Sequence, residues 1–133
     1  LSDYFRWDSK KTFIISKKKG FKSSKAPLTG LYNFADIDDG ILNIHHYLKY
    51  YRFGITRTFD NLSLEIRNKR ISRDKAVKIA NKSLKIIPHK QIKNFCEFIN
   101  ISEKKFFQIC EKFRNKKIWK KINQKWMLIN PLS

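Results

Sequence analysis

Arginine and aspartate side chains gather around one glycine in this chain. Arg52 precedes Gly54, Arg57 follows it, and Asp60, Ser63 and Arg67 come next at steps of three and four. On a helix these last three share a face, apart from the one that carries Phe59, Leu62 and Ile66. Guanidinium groups can hold a phosphate through paired hydrogen bonds. A carboxylate among them can accept from a sugar hydroxyl or orient an arginine. A polar face of mixed sign beside an aromatic helix therefore suits one wall of a cleft for a sugar phosphate. The same residues also fit a solvated helix face whose ion pair contributes little, or a buried aspartate–arginine tie between helices.

Other chemistry is sparse. His45 and His46 are adjacent on a predicted helix. Neighbouring helical positions point about 100° apart, so the two rings do not share a metal. One ring is expected to be half-buried beside the apolar stripe and the other exposed. The glycines Gly20, Gly30, Gly40 and Gly54 are too scattered for a phosphate-cradling loop. No Cys/His set has zinc spacing, and no Ser/His/Asp arrangement stands out. Ser23 and Ser24 sit in a Lys-rich stretch that reads as a surface loop. No catalytic residue and no metal site is expected here.

The elements that must position the arginines follow from periodicity. Steps of four, three, four and three through Ile37, Ile41, Ile44, Leu48 and Tyr51 predict a helix over 36–53 with one stripe inward. Gly54 offers a stop, and a second helix is predicted over 56–68. Ser72 caps a third, with Asp74 in its first turn and Ala76, Val77, Ile79 and Ala80 as its apolar positions. Earlier, residues 1–8 read as an extended opening, Ser9 caps a short helix over 10–18, and 21–31 is a loop. Beyond Pro88, Ile92, Phe95, Cys96 and Ile99 form one stripe. Ser102 caps the next helix, with Phe106, Ile109, Cys110 and Phe113 inward. The short link between them predicts an antiparallel pair or a helix-turn-helix. The tail from 115 is expected to hold a short helix and an irregular end at Pro131. The fold class is mainly α, an irregular domain of five to six helices, which the family resemblance of the segment around Gly54 makes the C-terminal portion of a larger α/β enzyme. It divides into an opening and loop (1–33), central helices (34–83) and a C-terminal helix pair with tail (84–133).

With 133 residues, 41% hydrophobic and 14% aromatic, the chain suits one globular domain. No apolar run approaches the roughly 20 residues that span a bilayer. Leu1, with Tyr4, Phe5 and Trp7 close behind, reads as a cut inside a longer protein. Cys96 and Cys110, far apart and at apolar helical positions, read as buried free thiols of a reducing compartment, hence cytoplasmic. Net charge is +19, from 30 Lys+Arg against 11 Asp+Glu. Such a field draws anionic partners.

The stretch from His46 through Asp74 resembles the N-acetyl sugar amidotransferase family of O-antigen and flagellin sugar biosynthesis. Gly54, Arg57, Asp60, Ser63, Glu65, Ile66, Arg67, Arg70 and Arg73 fall on that family's pattern of a helix ending in Gly, then spaced Arg and acidic residues. Tyr4 with Trp7-Asp8, the Tyr32-Asn33 pair and the helices over 88–112 resemble further parts of it. Three positions depart: Asn61 stands for the usual His, Leu62 for a small residue and Lys69 for a Gly. Asn61 keeps a donor and an acceptor where the family has an imidazole. The resemblance implies ATP and Mg²⁺ bound by an N-terminal ATP-pyrophosphatase domain outside these residues, ammonia from a separate glutaminase subunit, and conversion of an N-acetyl group to an acetamidino group. It implies a nucleotide-activated N-acetyl sugar as substrate, bordered by Arg57, Asp60, Asn61 and Arg67. This part alone would catalyse nothing.

The competing class is a basic nucleic-acid-binding module. Its support is the charge, the possible helix-turn-helix after Pro88 and the Lys/Trp interleaving over 116–126. Against it, the lysines are spread through every segment. Phe106, Phe107, Ile109 and Phe113 also suit burial better than groove reading.

Overall fold

Chain chemistry sets the bounds of each element in the computed structural model, which describes Tyr4, residues 7–27 and residues 29–131. Helix α1 spans Ser9–Lys18, and its cap is Asp8 rather than Ser9. The Asp8 Oδ1 accepts from the amides of Lys10 and Lys11 at 3.1 and 3.3 Å. A carboxylate there also complements the helix dipole. No residue of α1 is buried. The helix is held by an aromatic stack in which Phe13 lies on Phe34 (4.3 Å between centroids) and Phe34 on Tyr32 (4.9 Å). The opening over 1–8 lies mostly outside the described residues, as does the cut read at Leu1.

Helix α2 is shorter than its periodicity predicts: it runs Leu42–Phe53, not from 36. Asp36 has a positive φ of 59°, and the Asp39 carboxylate accepts from the Ile41 amide at 2.7 Å. The Asp38-Asp39-Gly40 run thus makes a turn, because short acidic side chains compete for backbone amides. Ile37 and Ile41 fall outside the helix, and Leu48 is 37% exposed. Ile44 and Tyr51 are buried as expected, and Asn43 and His46 join them.

Helices α3 (Arg57–Arg67) and α4 (Arg73–Ser83) form a hairpin. Its small core holds Leu62 against Ala76 and Ala80. Between them Lys69 sits at φ 57°, the left-handed region that favours glycine, and Ser72 then caps α4. Helices α5 (His89–Phe98) and α6 (Glu103–Lys112) pack with α2. Ile44, Tyr51, Ile92, Cys96, Phe106 and Cys110 make the larger core there. Each buried aliphatic or aromatic side chain contributes roughly 1.5–3 kcal/mol. Cys96 and Cys110 are both free and buried. Ile109 and Phe113, expected inward, are 39% and 68% exposed.

The tail corrects another expectation. It forms a β-hairpin, β1 (Trp119–Ile122) with β2 (Lys125–Leu128), where a helix was expected. Asn123 and Gln124 both have positive φ, 46° and 62°, which is the two-residue turn that matches strand twist. The register pairs Trp119 with Leu128 and Lys121 with Trp126, so these four share one face. Among the described residues the domain is mainly α, with six helices and this single two-stranded sheet.

Candidate functional site

Arg57 is the first residue of α3, one turn beyond the bend. That bend needs glycine: Gly54 ends α2 at φ 72°, its amide donating to the Tyr50 carbonyl at 2.8 Å. A Cβ there would lie 2.5 Å from Leu128 Cδ2, so the hairpin closes this side of the elbow. Asn115 and Trp119 reinforce the closure by donating to the Arg52 and Tyr51 carbonyls at 3.2 and 3.1 Å.

The Arg57 side stays open. Its Nε and Nη2 donate to both oxygens of Asp36 at 2.9 and 3.3 Å, and Nη1 lies 3.5 Å from Asp60. Lys49 reaches the same Asp60 oxygen at 2.6 Å. Burial alone would lower the Arg57 pKa, yet the Asp36 hydrogen bonds raise it above its ordinary value. The side chain keeps 30% exposure and forms part of the wall of two clefts. One is basic, with Lys49, Arg52 and Arg57 facing a single carboxylate, Asp60. The other is lined mainly by neutral polar groups, among them Thr29, Asn43, His46 and Ser83. His45 is exposed while His46 is buried, and burial pushes the His46 pKa down.

Of the residues singled out in the sequence, Arg57 and Asp60 come together at these clefts. Asn61 does not face solvent. It is 2% exposed, and its Oδ1 accepts from the Leu31 amide at 2.9 Å. A Cβ at Gly30 would collide with that same oxygen, so Gly30 and Asn61 together fix the loop at the rim of the neutral cleft. Arg67 is exposed, with its Nε turned to the Ser63 carbonyl at 3.3 Å. The buried polar positions of α3 are Thr58, Asn61 and Glu65, not the Asp60–Ser63–Arg67 face. Sequence reasoning missed Asp36, Lys49 and Asn43. Asp36 was hidden by the helix assigned over it, and Lys49 by a chain in which lysine is everywhere.

A second polar cluster gathers residues that carry the family resemblance. Arg70 reaches Asp8 at 2.8 Å and both oxygens of Glu65 at 2.9 Å. Tyr32 donates to Glu65 at 2.5 Å, and Lys10 bonds it at 2.8 Å. The Arg70 hydrogen bonds, followed by those from Lys10 and Tyr32, outweigh burial and hold the Glu65 carboxyl at about 2. This cluster locks α1, the 32–34 segment and the α3–α4 turn together. The α3–α4 turn also accounts for one departure: Lys69 stands where its φ of 57° favours the family's glycine.

The tail tryptophans are already engaged. The Arg114 guanidinium lies 4.2 Å from the Tyr51 ring centre, 4.8 Å from Trp119 and 5.1 Å from Trp126. Among the described residues no His, Cys, Asp or Glu cluster could hold a metal ion, and no helix is long and apolar enough to cross a membrane.

Fold and clefts together define a basic, mainly helical domain with a basic groove beside one lined by neutral polar residues. The chain belongs to the family described as LPS biosynthesis protein WbpG-like, C-terminal domain, whose model matches residues 12–133. That family is one of lipopolysaccharide biosynthesis, in agreement with the resemblance carried by the segment around Gly54. No curated protein matches the chain.

Proposed function

We propose that this chain is the substrate-facing part of an N-acetyl sugar amidotransferase, a cytoplasmic enzyme of O-antigen or flagellin sugar biosynthesis. Its substrate would be a nucleotide-activated N-acetyl sugar, with ammonia delivered by a glutaminase subunit. Lipopolysaccharide-family membership and the motif around Gly54 support this reading. ATP and Mg²⁺ belong to an N-terminal domain in it. The described residues fit neither, having scattered glycines and no acidic or His/Cys cluster able to hold a metal. No step of nucleotide chemistry is derived from them.

The observation that carries the reading is the setting of Arg57. Two carboxylates orient its guanidinium, 30% of the side chain stays exposed, and Lys49 and Arg52 stand alongside in the basic cleft. A phosphate there meets a guanidinium held in place by Asp36 and Asp60, with the positive charge of Lys49 and Arg52 alongside. Asp60 tethers Lys49 and Arg57 and tunes how much of that charge is free. Asn61 acts indirectly, by holding the loop at Gly30 and Leu31.

The test uses the complete enzyme with its glutaminase partner. Losing a charge-assisted hydrogen-bonded contact costs about 1.5–3 kcal/mol, so Arg57→Ala should raise KM for the sugar nucleotide by about 10- to 100-fold. Arg67→Ala, on the exposed face, should change it by less than about threefold. Unchanged KM in a folded Arg57→Ala enzyme defeats the proposal.

A further inference from the structure

The apolar stripes of α5 and α6 run on beyond the core they serve. Ile92 and Cys96 are buried against α2, as are Phe106 and Cys110. Ile99, Ile109 and Phe113 continue the same stripes at helical spacing, yet all three are exposed. With Leu48 of α2 they border a groove of about 550 Å³ whose base is Phe106 and Cys110. Contiguous apolar surface of this kind marks a place where another molecule docks.

The groove's shape and charge say what that molecule is. Its lining follows α6 from Ile101, just before the helix, to Phe113, its C-cap. Ten helical residues span about 15 Å, the length of nearly three turns of a second helix laid alongside. A recess of that form takes the projecting side chains of such a helix at i, i+3 or i+4, and i+7, whereas a bilayer surface reaches only its rim. Arg52 is the one formal charge in the lining. Arg57, Arg70 and Arg114 each hold a carboxylate, but the exposed Arg52 guanidinium meets none among the described residues. Helices α2, α5 and α6 together carry seven Lys and Arg against three Glu, and one of those, Glu111, is spent on Arg114. A second copy of the chain would set +19 against +19, so self-association is opposed. We propose that the groove receives one amphipathic helix of a partner protein, apolar on its inner face and acidic on its flanks, with one carboxylate closing on Arg52.

This inference is independent of the reading of Arg57. Ile109 and Phe113 line neither cleft beside that arginine, so the two can fail separately.

Fluorescence anisotropy on the full-length protein tests it. The probe is a labelled peptide of about 15 residues with leucines at i, i+3, i+4 and i+7 and glutamates on the flanks. It should bind saturably, with Kd on the order of 10 μM. A scrambled peptide of the same composition should bind about tenfold more weakly, because it keeps the charge and loses the stripe. Ile109→Glu should weaken the striped peptide about tenfold or more. Phe113→Ser, at a more exposed position, should weaken it about threefold or more, and unchanged urea midpoints report that both variants are folded. Arg52→Gln should cost about three- to tenfold for the glutamate peptide and nothing for its glutamine counterpart. No saturable binding, equal binding of the scrambled peptide, or unchanged affinity in folded Ile109→Glu and Phe113→Ser overturns the inference. So does a dimer in sedimentation equilibrium that Ile109→Glu dissociates, which would give the groove to a second copy. Pelleting with phosphatidylglycerol vesicles that Ile109→Glu abolishes would give it to a bilayer, with the same consequence.

Discussion

Glu65→Gln is the most informative single change to the scaffold. Glu65 is 6% exposed and bonded by Arg70, Lys10 and Tyr32. Those partners take its carboxyl from an ordinary 4.5 to about 2. At about 1.4 kcal/mol per pH unit, this depression is worth about 3 kcal/mol of stability. The sign follows from which state holds the proton. Between about pH 4.5 and 2 the unfolded chain binds a proton that the folded chain refuses, so stability falls as pH drops through that window. Above about pH 5.5 the contribution is fully present. Asp8, whose carboxyl Arg70 also lowers, acts in the same direction. Urea unfolding followed by tryptophan fluorescence at pH 7, 5, 4 and 3 reads the difference. At pH 7 the variant should be weaker by about 3 kcal/mol, and the gap should narrow steadily as pH falls toward 3. Self-repulsion among the many cations grows in acid for both proteins and cancels in the comparison. Parallel curves with a constant gap would refute the reasoning, because Glu65 would then act through shape and not charge.

Four further outcomes follow from the backbone and the packing. Lys69→Gly should raise stability by about 0.5–1 kcal/mol by relieving a left-handed residue, seen as a higher urea midpoint with unchanged slope. Gly54→Ala should cost about 1–3 kcal/mol, from its φ of 72° and the Leu128 methyl in the way, measured the same way. Arg114→Leu should cost about 1–3 kcal/mol by emptying the space between Tyr51, Trp119 and Trp126, with a change in the native tryptophan emission. Cys96 and Cys110 should react with Ellman's reagent only as the protein unfolds, since both are buried and burial raises the Cys110 thiol to about 11.

Much of the helical frame is written locally. Ser72 and Ser102 cap α4 and α6 as their spacing predicts, and Ile92, Cys96, Phe106 and Cys110 are inward. Errors arose where two local signals competed. Ile37 and Ile41 keep helical spacing with Ile44, but Asp36 and Asp39 form a turn that takes the backbone first. In the tail, Trp119 and Trp126 both lie against the Arg114 guanidinium. Their seven-residue separation suggested a helix, whereas an Asn123-Gln124 turn brings them to one face of a hairpin. The site was half legible. Arg57 and Asp60 stand out by type and spacing, but their partners Asp36 and Lys49 lie 21 and 11 residues upstream of the one each bonds. No window-sized pattern joins such pairs. Arg67 shares a helix face with Asp60 and Ser63, but a shared face says nothing about which face the fold covers, and here α3 buries Thr58, Asn61, Leu62 and Glu65.

The hairpin against Gly54 has a mechanical consequence. Leu128 packs on the glycine that sets the direction of α3, and Arg57 begins that helix. A lever runs from the Asn123-Gln124 tip through this fulcrum to the guanidinium. A change at Leu128 would therefore reach the start of α3 without touching the groove. Loosening residues 119–128 would blur the cleft's charge geometry while leaving every cleft residue in place.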